Sequence, residues 1–271
     1  MAMRFCILGS GSSGNAAFLQ TDESRILIDA GFSARRLGEL LGGIGESLDR
    51  LDAIFITHEH GDHTAGLSGL KKFPQLKVFT NAATAGTLAR SIERPIAWQI
   101  FETGSRFRFR DLTVDAFPIP HDAAEPVGYV FDWGHEGDLL APRHRLGWLT
   151  DLGHLPQQVR ERVRGVELLV LESNYDPELL QADTKRPWSL KQRISGRHGH
   201  LSNQDARTFL AERHAEEPAL REVFLAHLSR DCNSLDAVAR EFAPLTEPGC
   251  STRFHVTPVA PGASTPMLEW R

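Results

Sequence analysis

Short apolar stretches bounded by Gly, Asp or Asn recur along the chain and alternate with segments whose apolar positions repeat at helical spacing. Arg4 to Leu8, Ala16 to Gln20 and Arg25 to Ile28 read as three strands in close succession, the last ending at Asp29. Ser33 is placed to cap a helix over Ala34 to Leu41 that Gly42 and Gly43 end, and Ala53 to Thr57 follows as a strand. Asn81 opens a helix through Arg90, and Asp111 to Ile119 and Val127 to Trp133 predict two more strands. Arg145 to Thr150 is a strand and Pro156 to Val163 an amphipathic helix. Val166 to Leu171 is almost continuously apolar, the pattern of a strand covered on both faces.

Beyond that strand the periodicity loosens. Residues 174–204 are polar and basic and predict a loop-rich insert, up to a helix that Asn203 is placed to cap and that runs to about His214. A strand Val223 to Ala226, a helix Leu235 to Phe242 and a strand Thr252 to Thr257 follow, and the Pro/Gly/Ser-containing tail from Pro261 to Arg271 is only weakly determined by its pattern. Strands in both halves with helices between them predict an α/β protein of two sheets packed face to face with helices outside. With no internal period of 20 to 50 residues, residues 1–271 are expected to form one domain.

Composition narrows the class. Of 271 residues, 41% are hydrophobic and 24% charged, which excludes collagen-like, coiled-coil and wholly disordered chains. The apolar runs fall well short of the ~18 residues of a membrane span, and Met1 to Leu8 lacks the pattern of a secretory signal. A cytoplasmic location without a membrane partner is expected. Cys6, Cys232 and Cys250 form neither a disulfide framework nor a C-x-x-C knuckle. A net charge of −5 means that any phosphate-binding face must be local. Oligomeric state is not written in this pattern.

One segment carries concentrated chemistry. Directly after the apolar Ile54 to Ile56 comes Thr57-His58-Glu59-His60-Gly61-Asp62-His63. Imidazoles and a carboxylate on a turn after a strand can converge on one cation, with His58 and His60 facing one ion and Asp62 and His63 a second. Further metal-compatible side chains end other strands: Asp29, His121, Asp151 and His227. His135, His144, His154, His214 and His255 lack such surroundings and are expected to be solvated or satisfied.

These residues resemble the five motifs of the metallo-β-lactamase fold superfamily, the match running from Asp29 to His227. The resemblance implies an αββα four-layer sandwich with two mixed sheets, and two divalent ions, zinc or manganese and in principle iron. His58, His60 and His121 would hold one ion, Asp62, His63 and His227 the other, with Asp151 bridging and Asp29 supporting a ligand by hydrogen bonding. Such a pair of ions supports hydrolysis. Lactamases of this fold commonly carry Cys where Asp151 stands, so lactam hydrolysis is not expected. Leu171-Glu172-Ser173-Asn174, Pro187-Trp188-Ser189-Leu190-Lys191, Gly199-His200-Leu201-Ser202-Asn203 and His227-Leu228-Ser229-Arg230-Asp231-Cys232-Asn233 look like the YycJ/WalJ branch. That branch implies a DNA exonuclease running 5′ to 3′, with catalytic roles for Asp62, Asp151, His200 and Glu172 and a supporting one for Asn233.

The insert fits a nucleic-acid partner. From Thr184 to Gln204 it holds Lys185, Arg186, Lys191, Arg193 and Arg197 and no acidic residue, a candidate seat for backbone phosphates. Trp188 could stack on a base, and Ser202 precedes a helix whose N-terminus could receive a phosphate. The expectation is therefore a two-metal phosphodiesterase acting on DNA. The alternative is a small-molecule hydrolase, a thioesterase or a cyclic phosphodiesterase, on the same scaffold.

Overall fold

In the computed structural model, residues 3–92, 96–134, 143–216, 219–247, 250 and 252–270 are described. The first sheet takes β1 (Met3–Gly9), β2 (Ala16–Gln20), β3 (Arg25–Ile28), β4 (Ala53–Phe55), β5 (Lys77–Asn81) and β6 (Trp98–Phe101). The second takes β7 (Arg106–Phe109), β8 (Leu112–Pro118), β9 (Val127–Trp133), β10 (His144–Leu149), β11 (Leu168–Glu172), β12 (Glu222–Ala226) and β13 (His255–Pro258), and β14 (Leu268–Trp270) returns to the first. The helices are α1 (Ala34–Gly43), α2 (Gly61–Thr64), α3 (Ala82–Ser91), α4 (Gln157–Arg162), α5 (Pro177–Ala182), α6 (Trp188–Ile194), α7 (Asn203–Glu216) and α8 (Leu235–Thr246).

The strand orders are β14-β1-β2-β3-β4-β5-β6 and β13-β12-β11-β10-β9-β8-β7. Both sheets are mixed: β3, β4, β5 and β6 pair in parallel, as do β10, β11, β12 and β13, and the remaining neighbours are antiparallel. Apolar side chains of the two sheets meet in a central layer that includes Phe5, Phe55, Tyr129, Trp148 and Phe224. A second layer packs α1 on the outside of the first sheet through Leu37 and Leu41. A third packs α4, α7 and α8 on the second sheet through Val159, Phe209 and Phe242. This is the αββα sandwich of the metallo-β-lactamase fold. Burial on both faces explains the unbroken apolar run of β11.

Several elements differ from the sequence expectation. The weakly determined tail supplies an edge strand, since Leu268 to Trp270 pair with Met3 to Phe5. Strands β5, β6 and β7 form where no strand was expected; β6 and β7 leave half or more of their residues accessible and so lack a clear apolar signature. The loop-rich insert contains two helices. Asp176 caps α5 with Pro177 at its first position, and α6 buries none of its residues, which leaves no periodicity to read. Asn203 does not cap α7: the Ser202 hydroxyl accepts from Asp205 N at 3.0 Å and donates to Asp205 Oδ2 at 2.6 Å. Among the described residues, no helix is long and apolar enough to cross a membrane.

Candidate metal centre

Because β8 and β10 both run antiparallel to β9, and β11 and β12 run parallel to β10, these four strands share one direction. Their C-terminal ends line one edge of the second sheet and deliver His121, Asp151, Glu172 and His227 there. From the first sheet, β3 delivers Asp29 and β4 leads into His58 to His63. Asp29, Asp151 and His227 each adopt a left-handed backbone conformation, with φ of 58 to 60°. Each costs roughly 1 kcal/mol or more for a side chain with a Cβ, and each sits where the chain turns out of its strand. A Cβ at Gly31 would lie 1.7 Å from the Asp62 carbonyl oxygen, so only glycine lets the chain after β3 pass this close. That passage ties down Asp62 and His63: Asn15 N donates to Asp62 O at 2.7 Å and Ala30 N to His63 O at 2.8 Å.

Each of four histidines has one ring nitrogen committed to a fixed partner. His63 Nδ1 donates to Asp29 Oδ2 at 2.7 Å and His227 Nδ1 to Glu172 Oε1 at 2.8 Å. His121 Nδ1 donates to the Gly199 carbonyl at 3.1 Å, and His58 Nδ1 to Thr57 Oγ1 at 3.0 Å. Thr57 Oγ1 can accept because its own proton goes to Asp29, with oxygens at 3.0 and 3.1 Å. In all four rings Nε2 is thereby turned toward the centre, where that of His63 lies 3.1 Å from both Asn15 Nδ2 and Asp151 Oδ2. His60 instead turns Nδ1 inward, 3.4 Å from His121 Nε2.

The donor atoms fall into groups in which all lie within 4.8 Å of one another: His58, His60 and His121; Asp62, His63 and His227; and His58, His63 and Asp151. His58 Nε2 and His227 Nε2 are buried without a hydrogen-bond partner, and Asp151 Oδ2 meets only the His63 ring, at 3.1 Å from Nε2, a costly state that a bound cation relieves. The residues therefore fit divalent metal ions. A fourth group, Asp151, Glu172, His200 and His227, is already knit together, since Glu172 Oε1 accepts from both rings.

Electrostatics agree with this geometry. Burial opposes charge on Asp151, yet His227 and His63 hold its carboxyl well below the usual range. Conversely, burial disfavours charge on His63 and His227, but Asp151 overcomes it, pushing His63 well above its ordinary value and His227 up to about 10. Burial holds His58 well below the ordinary value. Ligation needs neutral rings, so at pH 7 metal uptake must expel protons from His63 and His227, and affinity should rise with pH toward about 10. Adding Zn2+ to chelator-stripped protein in weak buffer is expected to release protons detectable with an indicator dye. A proton-neutral titration would show that the rings are not charged.

Glu172, fully buried, organises the neighbourhood: Oε1 accepts from His200 Nδ1 at 2.8 Å, and Oε2 from Leu152 N at 2.9 Å and Leu201 N at 3.2 Å. It thus supports His227 as well as His200. Asn233 touches no predicted ligand; it donates to the carbonyls of Ser173 and Asn174 and exchanges hydrogen bonds with Asn203. It locks the chain beyond Glu172 to the start of α7. The sequence gives Thr57 no role, and Gly9 to Asn15 reads only as a tight turn near the metals. That turn brings Asn15 Nδ2 to 3.4 Å from Asp62 Oδ2.

The metal cluster opens on a cleft of about 230 Å³ whose wall includes Ser12, Asp122, Leu190, Arg193 and His200. Of the five basic residues of the insert, Arg193 alone lines it, paired with Asp122. Lys185 pairs with Asp231, and Arg186 with Asp183 and Asp231. Lys191 donates to the Gln181 carbonyl, and Arg197 lies beside His154. Counting charge from Thr184 to Gln204 missed the acidic partners Asp122, Asp183 and Asp231, which lie outside that window. Ser202 is spent on the α7 cap, where the Asp205 carboxylate already occupies the position offered to a phosphate. Trp188 faces away from the cleft. His144 is satisfied by Glu167 at 2.7 Å, His154 by the Arg197 carbonyl, and His255 is exposed; His135 and the His214 side chain lie outside the described residues.

A paired-sheet scaffold whose strand ends gather these histidines and carboxylates defines a metal-dependent hydrolase, and the chain belongs to the beta-lactamase superfamily, whose domain model matches residues 24–221. It is 34% identical over 242 residues to "Exodeoxyribonuclease YycJ" of Bacillus anthracis, covering 89% of this chain and 87% of that protein. Against "Exodeoxyribonuclease WalJ" of Streptococcus pneumoniae identity is 31%, over 99% of this chain and 98% of that one. The crystal structure of the metallo-beta-lactamase fold protein YhfI from Bacillus subtilis superposes with a TM-score of 0.69 at 16% identity, covering 97% of this chain and 98% of that one.

Proposed function

We propose that the chain is a phosphodiesterase that shortens DNA from the 5′ end, with His58, His60 and His121 holding one divalent ion, Asp62, His63 and His227 a second, and Asp151 between them. Zinc and manganese both suit these nitrogen and oxygen donors. The observation that carries the reading is His200, a half-buried imidazole fixed by buried Glu172 at the edge of a metal-compatible cluster that also offers Arg193. Two exodeoxyribonuclease-named relatives at 31 to 34% identity over most of the chain support it.

When bound, the ions supply activation of water at neutral pH and stabilise charge on phosphoryl oxygens. The protein's own groups do the rest. Arg193, moving from Asp122 to a phosphate oxygen, anchors the backbone of the incoming strand. Burial disfavours charge on His200, but the Glu172 carboxylate outweighs it and raises the ring's affinity for a proton. With Nδ1–H on Glu172, the charged form of His200 that this pairing favours carries its second proton on Nε2. It gives this proton to the 3′-oxygen that leaves as the oxygen of water bonds to phosphorus and the P–O3′ bond breaks; the proton that the water sheds passes to solvent, from which the ring is recharged.

The test is metal-loaded protein with 5′- and 3′-labelled single- and double-stranded DNA and RNA. The reading expects mononucleotides to be released first from the 5′ end of DNA. Turnover of a thioester or cyclic nucleotide with every labelled strand left intact would replace it by the small-molecule alternative. Arg193→Ala is expected to weaken DNA binding about five- to tenfold and to lower the salt slope by about 0.7 to 0.9, the loss of one phosphate contact. A slope identical to that of the parent would remove Arg193 from the strand path.

A further inference from the structure

Helix α6 has an accessible groove on each side. Leu190, Arg193 and Ile194 look into the metal cleft. The opposite face carries Trp188, Lys191, Gln192 and Ser195, which with Tyr175 and Gln181 line a second cavity of about 250 Å³. At 100° per residue the two sets point in opposed directions, so one helix diameter separates the depressions.

Both faces of α6 are unusual for an exposed helix. Trp188 is 61% exposed and Leu190 36%, two of the four large hydrophobic side chains that stand out in solvent among the described residues, and both lie on a seven-residue helix that buries nothing. Such a helix is held by its neighbours. Gly199 packs so tightly under it that a Cβ there would come within 2.2 Å of the Arg193 and Ile194 carbonyl oxygens. His200 N donates to Ile194 O at 2.8 Å, and His121 Nδ1 to Gly199 O. The stacking surface is thereby fixed relative to His121 and His200. Around Trp188 the cavity combines apolar walls from Tyr175, Pro177 and Leu180, which suit the face of a heterocycle, with polar groups of Lys191, Gln192, Gln181 and Ser195; the Lys191 ammonium, which holds the Gln181 carbonyl, has further N–H donors for a phosphate.

We propose that α6 is a saddle over which a single nucleic-acid strand passes, and that a base a few nucleotides from the cleaved bond stacks on Trp188 with Lys191 beside its phosphate. This rests on the nuclease reading and names the strand length that site demands. An aromatic face accepts any base, so the contact adds affinity and a minimum length without sequence preference.

The experiment compares metal-loaded parent, Trp188→Ala and Trp188→Phe on single-stranded DNA of two to twelve nucleotides and on bis(p-nitrophenyl) phosphate. For the parent, KM should fall steeply once the strand is long enough to cross α6. Trp188→Ala should flatten that dependence, raising KM for the twelve-mer about tenfold with kcat within twofold, and Trp188→Phe should restore most of it. The ratio of twelve-mer to aryl-ester kcat/KM should fall about tenfold in the alanine variant. An unchanged ratio, with folding confirmed by circular dichroism, overturns the saddle and leaves the nuclease reading standing. A parent that hydrolyses the aryl ester but no strand of any length removes both.

Discussion

Asp151→Asn should leave a folded protein that retains no stoichiometric metal and has lost at least about a thousandfold in turnover, the several kcal/mol that metal-assisted hydrolysis supplies. The side chain is the one group that reaches every part of the cluster. Its Oδ2 lies 3.1 Å from His63 Nε2, and its Oδ1 lies 3.5 Å from His227 Nδ1, 3.7 Å from His200 Nδ1 and 3.9 Å from His121 Nε2. It is 2% exposed, so no solvent screens its charge. Asparagine keeps the volume and the hydrogen-bonding outline but removes the negative charge that offsets the cations. The fold should survive because the layers beneath the site do not include Asp151. Phe55, Tyr129 and Trp148 pack between the sheets, and Leu169 and Leu225 pack under the helices. Elemental analysis after gel filtration and single-turnover hydrolysis are the measurements. A variant that keeps its metal and works within tenfold of the parent would mean that Asp151 does not join the two donor groups.

The ligand-bearing strand ends could be read in the sequence because polarity breaks sharply there: Leu27-Ile28 gives way to Asp29, Trp148-Leu149 to Thr150-Asp151, and Leu225-Ala226 to His227. A run of apolar residues ending in a potential ligand is visible without coordinates. The conformation that aims the ligand is not visible, and neither the left-handed backbone of Asp29, Asp151 and His227 nor the close passage at Gly31 has a one-dimensional signature beyond residue type. The insert was misjudged for a different reason. Lys185, Arg186 and Arg193 read as free cations because Asp183, Asp231 and Asp122 stand outside the window in which charge was counted. Edge strands β6, β7 and β14 were missed because an edge needs no apolar run; backbone pairing with a central neighbour defines it. The dual hold of Glu172 on His200 and His227 follows from the parallel registration of β11 with β12, which sets Glu172 beside Ala226, one residue before His227.

His200→Ala should separate binding of metal from proton delivery. None of the three donor groups that fit the ions contains His200, and its one fixed bond is to Glu172, which keeps its remaining partners at His227, Leu152 and Leu201. Metal content is therefore expected to stay at the parent's level while DNA turnover falls by about 10²- to 10⁴-fold, the range for loss of a positioned general acid. The leaving group distinguishes this from general damage to the site. A nucleoside 3′-oxygen leaves as a strongly basic alkoxide unless it is protonated, whereas a nitrophenolate is stable as the anion. His200→Ala should thus cost an oligonucleotide far more than it costs an aryl phosphodiester, and the variant's rate should depend more steeply on leaving-group basicity than the parent's. Glu172→Gln should show a milder form of the same selectivity, since a neutral amide can still accept from Nδ1 but no longer favours the charged ring, together with weaker metal retention through His227. Equal losses on both substrates in His200→Ala would assign the ring to phosphate binding instead, because a hydrogen bond to a non-bridging oxygen serves every leaving group alike.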